Sequence, residues 1–167
     1  MSVTDMVHFK MMSLVHETLY GLFRDPYEAL EAAGLRQGQD VLEVGCGPGF
    51  FTVPAAKVVG ETGSVCALDI SPAAVKRVRQ KVEEAGVTNV TTRLANAAET
   101  GLAEQSFDLV FVFGFRRNAG HMEGILAETH RLLRPKGILA TEGRLFGSSE
   151  LFRLTKQGGR ILQFERA

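Results

Sequence analysis

Three glycines at alternate positions, Gly45, Gly47 and Gly49, follow the apolar run VLEV (41–44), and a carboxylate, Asp69, closes a second apolar run, SVCALDI (64–70). A buried strand that ends in such a loop offers bare backbone N–H groups to a ligand. Glycine there permits tight left-handed turns and lets the ligand press against the main chain. An acid at the end of the next strand faces the same crevice and accepts hydrogen bonds from both hydroxyls of a ribose. The pair therefore reads as a nucleoside site. Its spacing is not that of the dinucleotide motif G-x-G-x-x-G, because position 50 is Phe50. A pyrophosphate needs the following helix N-terminus bare, whereas a nucleoside without phosphates does not. The expected ligand is thus phosphate-free. Asp69 also has a plainer reading as a helix cap, since Asp favours helix starts.

The elements that must hold these residues alternate in type. Ser71-Pro72 is a capping hydroxyl followed by a proline suited to the first helical position, and Val75, Val78, Val82 and Ala85 recur at helical spacing up to Gly86. NVTTRLA (89–95) and FDLVFVF (107–113) read as strands, and a helix is predicted from about Met122 to Leu133, closed by Pro135-Lys136-Gly137. GILATEG (137–143) is a fifth strand, and RILQFER (160–166), entered through Gly158-Gly159, a last one. Ahead of the first strand lie about forty residues of helical periodicity: Val7, Met11, Leu14 and Val15, then a second helix opening at Asp25-Pro26 and ending at Gly34. Strand alternating with helix predicts an α/β fold, a doubly wound and mostly parallel sheet with helices on both faces. Residues 1–167 are expected to form one domain, with 1–35 a helical appendage serving as lid and 36–167 the Rossmann-like core.

Composition narrows the partners. Lys plus Arg and Asp plus Glu each number 19, so no net charge draws the chain to nucleic acid or to an anionic membrane. No apolar stretch approaches the ~20 residues of a membrane span, and MSVTDMVHFK lacks the basic start and apolar stretch of a secretory signal. A cytoplasmic location is expected. Cys46 and Cys66 are not in a C-x-x-C pair, and His8, His16, His121 and His130 show no ligand spacing, so no metal site is expected and both thiols read as reduced and buried.

Taken together, VLEVGCGPGFF, ALDIS, ANAAE, SFDLVFVF and LLRPKGILA resemble the class I S-adenosylmethionine (SAM) methyltransferases, over about residues 36–146. The resemblance implies SAM as cofactor and S-adenosylhomocysteine as product. It implies that the loop Gly45, Cys46, Gly47 and Gly49 underlies the methionine part of SAM, and that Glu43 helps hold its amino group. Asp69 would take the ribose hydroxyls and Ile70 flank the adenine. Asn96 stands where the family usually has an Asp contacting the adenine amino group, and Ala97 would offer its amide to the ring. Asn96 equally suits a turn. Relatives commonly continue with a helix and two strands, the last inserted antiparallel; here residues 149–156 leave room for a short helix, then one or two strands.

A sulfonium methyl is already a strong electrophile, so the enzyme's main task is to align an acceptor in a dry pocket, and a general base is optional. The acceptor pocket is expected beyond the fourth strand, in FGFRRNAGH (113–121). Phe113 and Phe115 are candidate walls or core residues. Arg116 and Arg117 suit a substrate carboxylate or phosphate, or are simply solvated. His121 is a candidate base. The motifs of amino-methylating and cytosine-C5 nucleic-acid enzymes are absent, and two cysteines are too few for an arsenite-type thiolate cluster. What remains is transfer to a small molecule of quinone or similar type, bound by this chain alone or with a second subunit of a homo-oligomer. The alternative is a module that binds SAM for sensing or assembly and has lost its acceptor site.

Overall fold

The computed structural model describes residues 25–114, 122–143 and 149–167. In chain order these form α1 (Pro26–Ala32), β1 (Asp40–Val44), α2 (Thr52–Val59), β2 (Ser64–Asp69), α3 (Pro72–Glu84), β3 (Val90–Leu94), β4 (Phe107–Val112), α4 (Met122–Leu132), β5 (Leu133–Glu142), β6 (Phe152–Gly158) and β7 (Ile161–Arg166). The strands make one seven-stranded sheet in the order β3-β2-β1-β4-β5-β7-β6. Strands β1 to β5 run parallel, and β7 lies antiparallel between β5 and β6. The expected doubly wound, mostly parallel α/β sheet is the one observed.

Burial on both faces explains the near-continuous apolar strands. On one face Val41, Leu109, Phe111 and Ala140 pack with Leu30 of α1 and with Ala55 and Val59 of α2. On the same side Ala67 meets Val78 of α3. On the other, Leu42, Val44, Val110, Val112 and Leu139 pack with Met122 and Leu126 of α4. The predicted helix punctuation is realised: Asp25 accepts the Tyr27 N–H, Ser71 accepts the Ala74 N–H, and Pro26 and Pro72 open their helices. The earlier helix expected around Val7 to Val15 lies outside the described residues.

Two predicted elements are corrected. Residues 149–156 are not a helix: β6 begins at Phe152 and pairs antiparallel with β7, from Phe152 opposite Arg166 to Gly158 opposite Ile161. Gly159-Arg160 is then a two-residue hairpin loop with Gly159 at φ +58°, and the ladder it closes fixes these residues as strand. Likewise Pro135-Lys136-Gly137 does not separate α4 from β5. Strand β5 starts at Leu133, opposite Phe107, and bulges before pairing resumes at Leu109–Ile138.

Candidate active site

The parallel strands end together on one rim, and the order reverses between β1 and β4, where open α/β sheets leave a crevice. The glycine loop stands there. Gly45 and Cys46 donate their N–H groups to Leu68 O of β2 at 2.8 and 3.0 Å, which carries the β1–β2 ladder past the end of β1. Gly49 N–H closes a turn onto Cys46 O at 2.9 Å.

Asp69 is bound into this loop. Its Oδ2 accepts the Gly47 N–H and its Oδ1 the Ser71 N–H, both at 2.8 Å. The cap of α3 is Ser71, so Asp69 is not spent as a helix cap. It clasps the loop from one strand over, and a carboxylate with about four acceptor sites keeps capacity for hydroxyl donors. A Cβ at Gly47 would meet nothing within 4 Å, so open space lies above that backbone. Ile70, beside Asp69, is 72% exposed at the same rim. A bare turn, a ribose-type carboxylate and an exposed apolar side chain together fit a nucleoside.

Glu43 is only 3% exposed and lies beneath the loop, on the α2 side of β1. Its Oε2 accepts the Thr52 hydroxyl at 2.5 Å, which ties the strand to the start of α2. Burial pushes its carboxyl up to about 8, with the Asp69 charge adding to the rise while the Thr52 bond and Lys81 oppose it. Burial also raises the Cys46 thiol, helped by Glu43 and Asp69, so it stays a protonated packing group beside Ala67 and Val78. Cys66 is likewise a buried free thiol.

Asn96 takes the turn role: its Oδ1 accepts the Ala98 N–H at 3.0 Å and its carbonyl the Glu99 N–H at 3.0 Å. Ala97 is half-buried against the core. Phe113 is buried, with its ring centroid 5.1 Å from those of Phe51 and Phe111. Phe115, Arg116, Arg117 and His121 lie outside the described residues. Among the described residues no cluster of His, Cys, Asp and Glu is arranged to hold a metal ion.

Two residues that sequence reading passed over belong to the rim or its support. Thr52 had no signal, because its partner lies nine positions back across a loop. Glu142 had one: it ends a strand as Asp69 does. Its Oε2 accepts the Gly114 N–H at 3.3 Å, bridging the ends of β4 and β5.

Residues 35–157 match the family model described as a methyltransferase domain. The chain belongs to the methyltransferase family. Within that family it is 34% identical to the ubiquinone/menaquinone biosynthesis C-methyltransferase UbiE of Psychromonas ingrahamii over 111 residues, 66% of this chain and 44% of that protein. It is also 34% identical to a demethylmenaquinone methyltransferase of Listeria welshimeri over 132 residues, 78% of this chain and 55% of that one. The chain thus spans about half the length of the curated relatives it matches. In structure it is similar to a SAM-dependent methyltransferase from Aquifex aeolicus, with a TM-score of 0.76 and 23% identity over 96% of both chains. The cofactor that goes with the family is S-adenosylmethionine.

Proposed function

We propose that this methyltransferase moves the methyl group of SAM to a small acceptor, a quinol whose ring carries a free position. The observation that carries the reading is the Asp69–Gly47 clasp at the switch point of a methyltransferase sheet. The quinol assignment draws on the relatives named for ubiquinone, menaquinone and demethylmenaquinone methylation. A module that binds without transfer is not favoured, since those relatives are named for transfer.

In this reading Asp69 holds the ribose hydroxyls and Ile70 lies along the adenine, with Asn96 and Ala97 at its edge. The backbone of Gly45, Cys46, Gly47 and Gly49 underlies the methionine part. Glu43 acts from below, fixing α2 through Thr52 and helping to hold the amino group. Phe113, in the core, closes the crevice floor at the end of β4. Bound SAM supplies an electrophilic methyl, and the chain supplies alignment and a dry surround. Work in the cytoplasm on a diffusible or membrane-derived quinol is part of the proposal, and no described helix is long and apolar enough to cross a membrane.

Melting in the presence of SAM, S-adenosylhomocysteine or NAD tests it. Ligand at ~100 times its Kd adds about 2.7 kcal/mol, which raises Tm by roughly 5–10 °C for a chain of this size. Stabilisation by NAD and none by SAM would overturn the reading. Methyl-labelled SAM with a naphthoquinol then reports transfer.

A further inference from the structure

Glu43 and Thr52 form a buried pair under the glycine loop. Thr52 is the first residue of α2, and its hydroxyl donates to Glu43 Oε2 at 2.5 Å. The pair abuts the loop at Gly49, where a Cβ would lie 3.6 Å from Thr52 Oγ1 and 3.5 Å from Lys81 Cδ of α3. On the functional reading above, on which this inference rests, that loop underlies the methionine part of SAM. Binding then brings an ammonium group onto a buried carboxyl.

The strand neighbours of Glu43 are apolar, Ala67 on β2 and Phe111 on β4. Burial pushes its carboxyl up to about 8, the Thr52 bond opposes the rise, Asp69 at the end of β2 adds to it, and Lys81 opposes it. Among the described residues these are the charged groups that bear on Glu43, and the Cys46 thiol of the loop is neutral. On this balance the acid holds its proton at neutral pH. A cofactor ammonium placed against it favours the ionised form, as does a hydroxyl that donates to that form.

We propose that Thr52 is a positioning residue for the cofactor: it holds Glu43 as an acid whose proton leaves when the amino group of SAM arrives, and it steadies the carboxylate that remains. The Glu43 O–H bond breaks, its electron pair stays on the carboxylate, and the proton passes to solvent. One proton is released for each cofactor bound, and it is taken up again when the product S-adenosylhomocysteine departs.

The test uses the full chain and three ligands: SAM, S-adenosylhomocysteine, which has the amino group without the sulfonium charge, and methylthioadenosine, which keeps the nucleoside and lacks the amino-acid arm. Calorimetry in two buffers of different ionisation enthalpy counts the protons exchanged. At neutral pH wild type should release about one proton with S-adenosylhomocysteine and none with methylthioadenosine. From pH 6 to 8 its affinity for the former should rise by roughly tenfold or more while that for the latter stays level. Thr52→Val keeps the shape and removes the donor. It should weaken S-adenosylhomocysteine by about tenfold or more at neutral pH and move the rise to higher pH, with methylthioadenosine unchanged. Thr52→Ser restores the wild-type profile, and Glu43→Gln releases no proton. Wild type that binds S-adenosylhomocysteine without releasing a proton overturns the proposal and leaves the functional reading standing. So does a Thr52→Val protein that weakens both ligands equally, as a merely structural threonine would, or one with the wild-type pH profile. Wild type that binds none of the three refutes the functional reading instead. Should Thr52→Val fail to fold, Thr52→Ala takes its place under the same criteria, and proton release that survives in Glu43→Gln counts against the proposal whatever the Thr52 variants do.

Discussion

Gly47 donates its backbone N–H to Asp69 Oδ2 at 2.8 Å, so the loop after β1 and the acid at the end of β2 form one hydrogen-bonded unit. Neither part floats. The turn is held in one conformation by its own amide bonds, and the carboxylate that closes it is fixed at the same rim. Such preorganisation lowers the ordering cost of binding.

Asp69→Ala removes the clasp on Gly47 and, with it, the proposed ribose acceptor. SAM affinity should fall by about 1.5–3 kcal/mol, the range for hydrogen bonds to a charged group. Titration calorimetry of SAM reads it. Unchanged affinity would mean that the ribose lies elsewhere.

Two glycines of the loop should fail in different ways. Gly49 sits at φ +78°, and a Cβ there would lie 3.0 Å from Val78 Cγ2, so Gly49→Ala adds a steric conflict to a left-handed backbone. A loss of about 2 kcal/mol is expected, or a Tm lower by roughly 4–8 °C. Gly47 is at φ +51° with open space above it, so Gly47→Ala costs about 1 kcal/mol in backbone strain alone. Its methyl instead enters the space where the ligand would press on the main chain. Gly47→Ala should therefore lose more SAM affinity than Gly49→Ala while melting higher. Comparing calorimetry with thermal melting across the two variants checks the crossing.

The residues legible in the sequence were those whose signal is local. The glycine spacing, the acid after an apolar run, and Ser71-Pro72 each act within a few positions, and the structure assembles them on one rim. The C-terminal hairpin is not legible locally, because residues 149–156 have no strong preference of their own. Only pairing with β7 decides them, although Gly158-Gly159 was a usable hairpin signal. Asn96 shows the converse: its local turn chemistry competes with the role that resemblance gave it, and Ala98 takes the oxygen. Glu142 carried the same strand-end signal as Asp69. No motif surrounds it, so that signal stands alone.

Arg134, in the LLRPKG segment, braces the rim opposite the crevice. Its guanidinium reaches Asp40 Oδ2 and Asp108 Oδ1, each at 2.8 Å, while Asp108 Oδ2 accepts the Asp40 N–H at 2.8 Å. Strands β1 and β5 and the β4 between them are thereby fastened at their starts. All three side chains are more than a third exposed, so solvent screening discounts the network, and Arg134→Met should cost about 1 kcal/mol. The loss should shrink in high salt. Denaturant titrations at low and high ionic strength measure both; a cost of several kcal/mol, unaffected by salt, would count against a solvated clamp.

Glu43 sets a pH dependence of the opposite sign to that of the surface acids. Its carboxyl, ordinarily near 4.5, is raised to about 8 by burial. Between those values the folded chain holds a proton that the unfolded chain releases, so this residue's contribution to stability falls as pH rises from about 4.5 to 8. By pH 8 the loss is on the order of a few kcal/mol. Glu128, held down to about 2 by Arg131 and then Thr100, acts in a separate window: its contribution is present above its ordinary 4.5 and is lost as pH falls towards 2. Glu43→Gln keeps an acceptor for the Thr52 hydroxyl and carries no titrating group. Denaturant midpoints taken from pH 5 to 8 should therefore slope downward for wild type and less steeply for Glu43→Gln, and the two curves should separate most at the alkaline end. Parallel curves would place the Glu43 carboxylate, ionised, in contact with water.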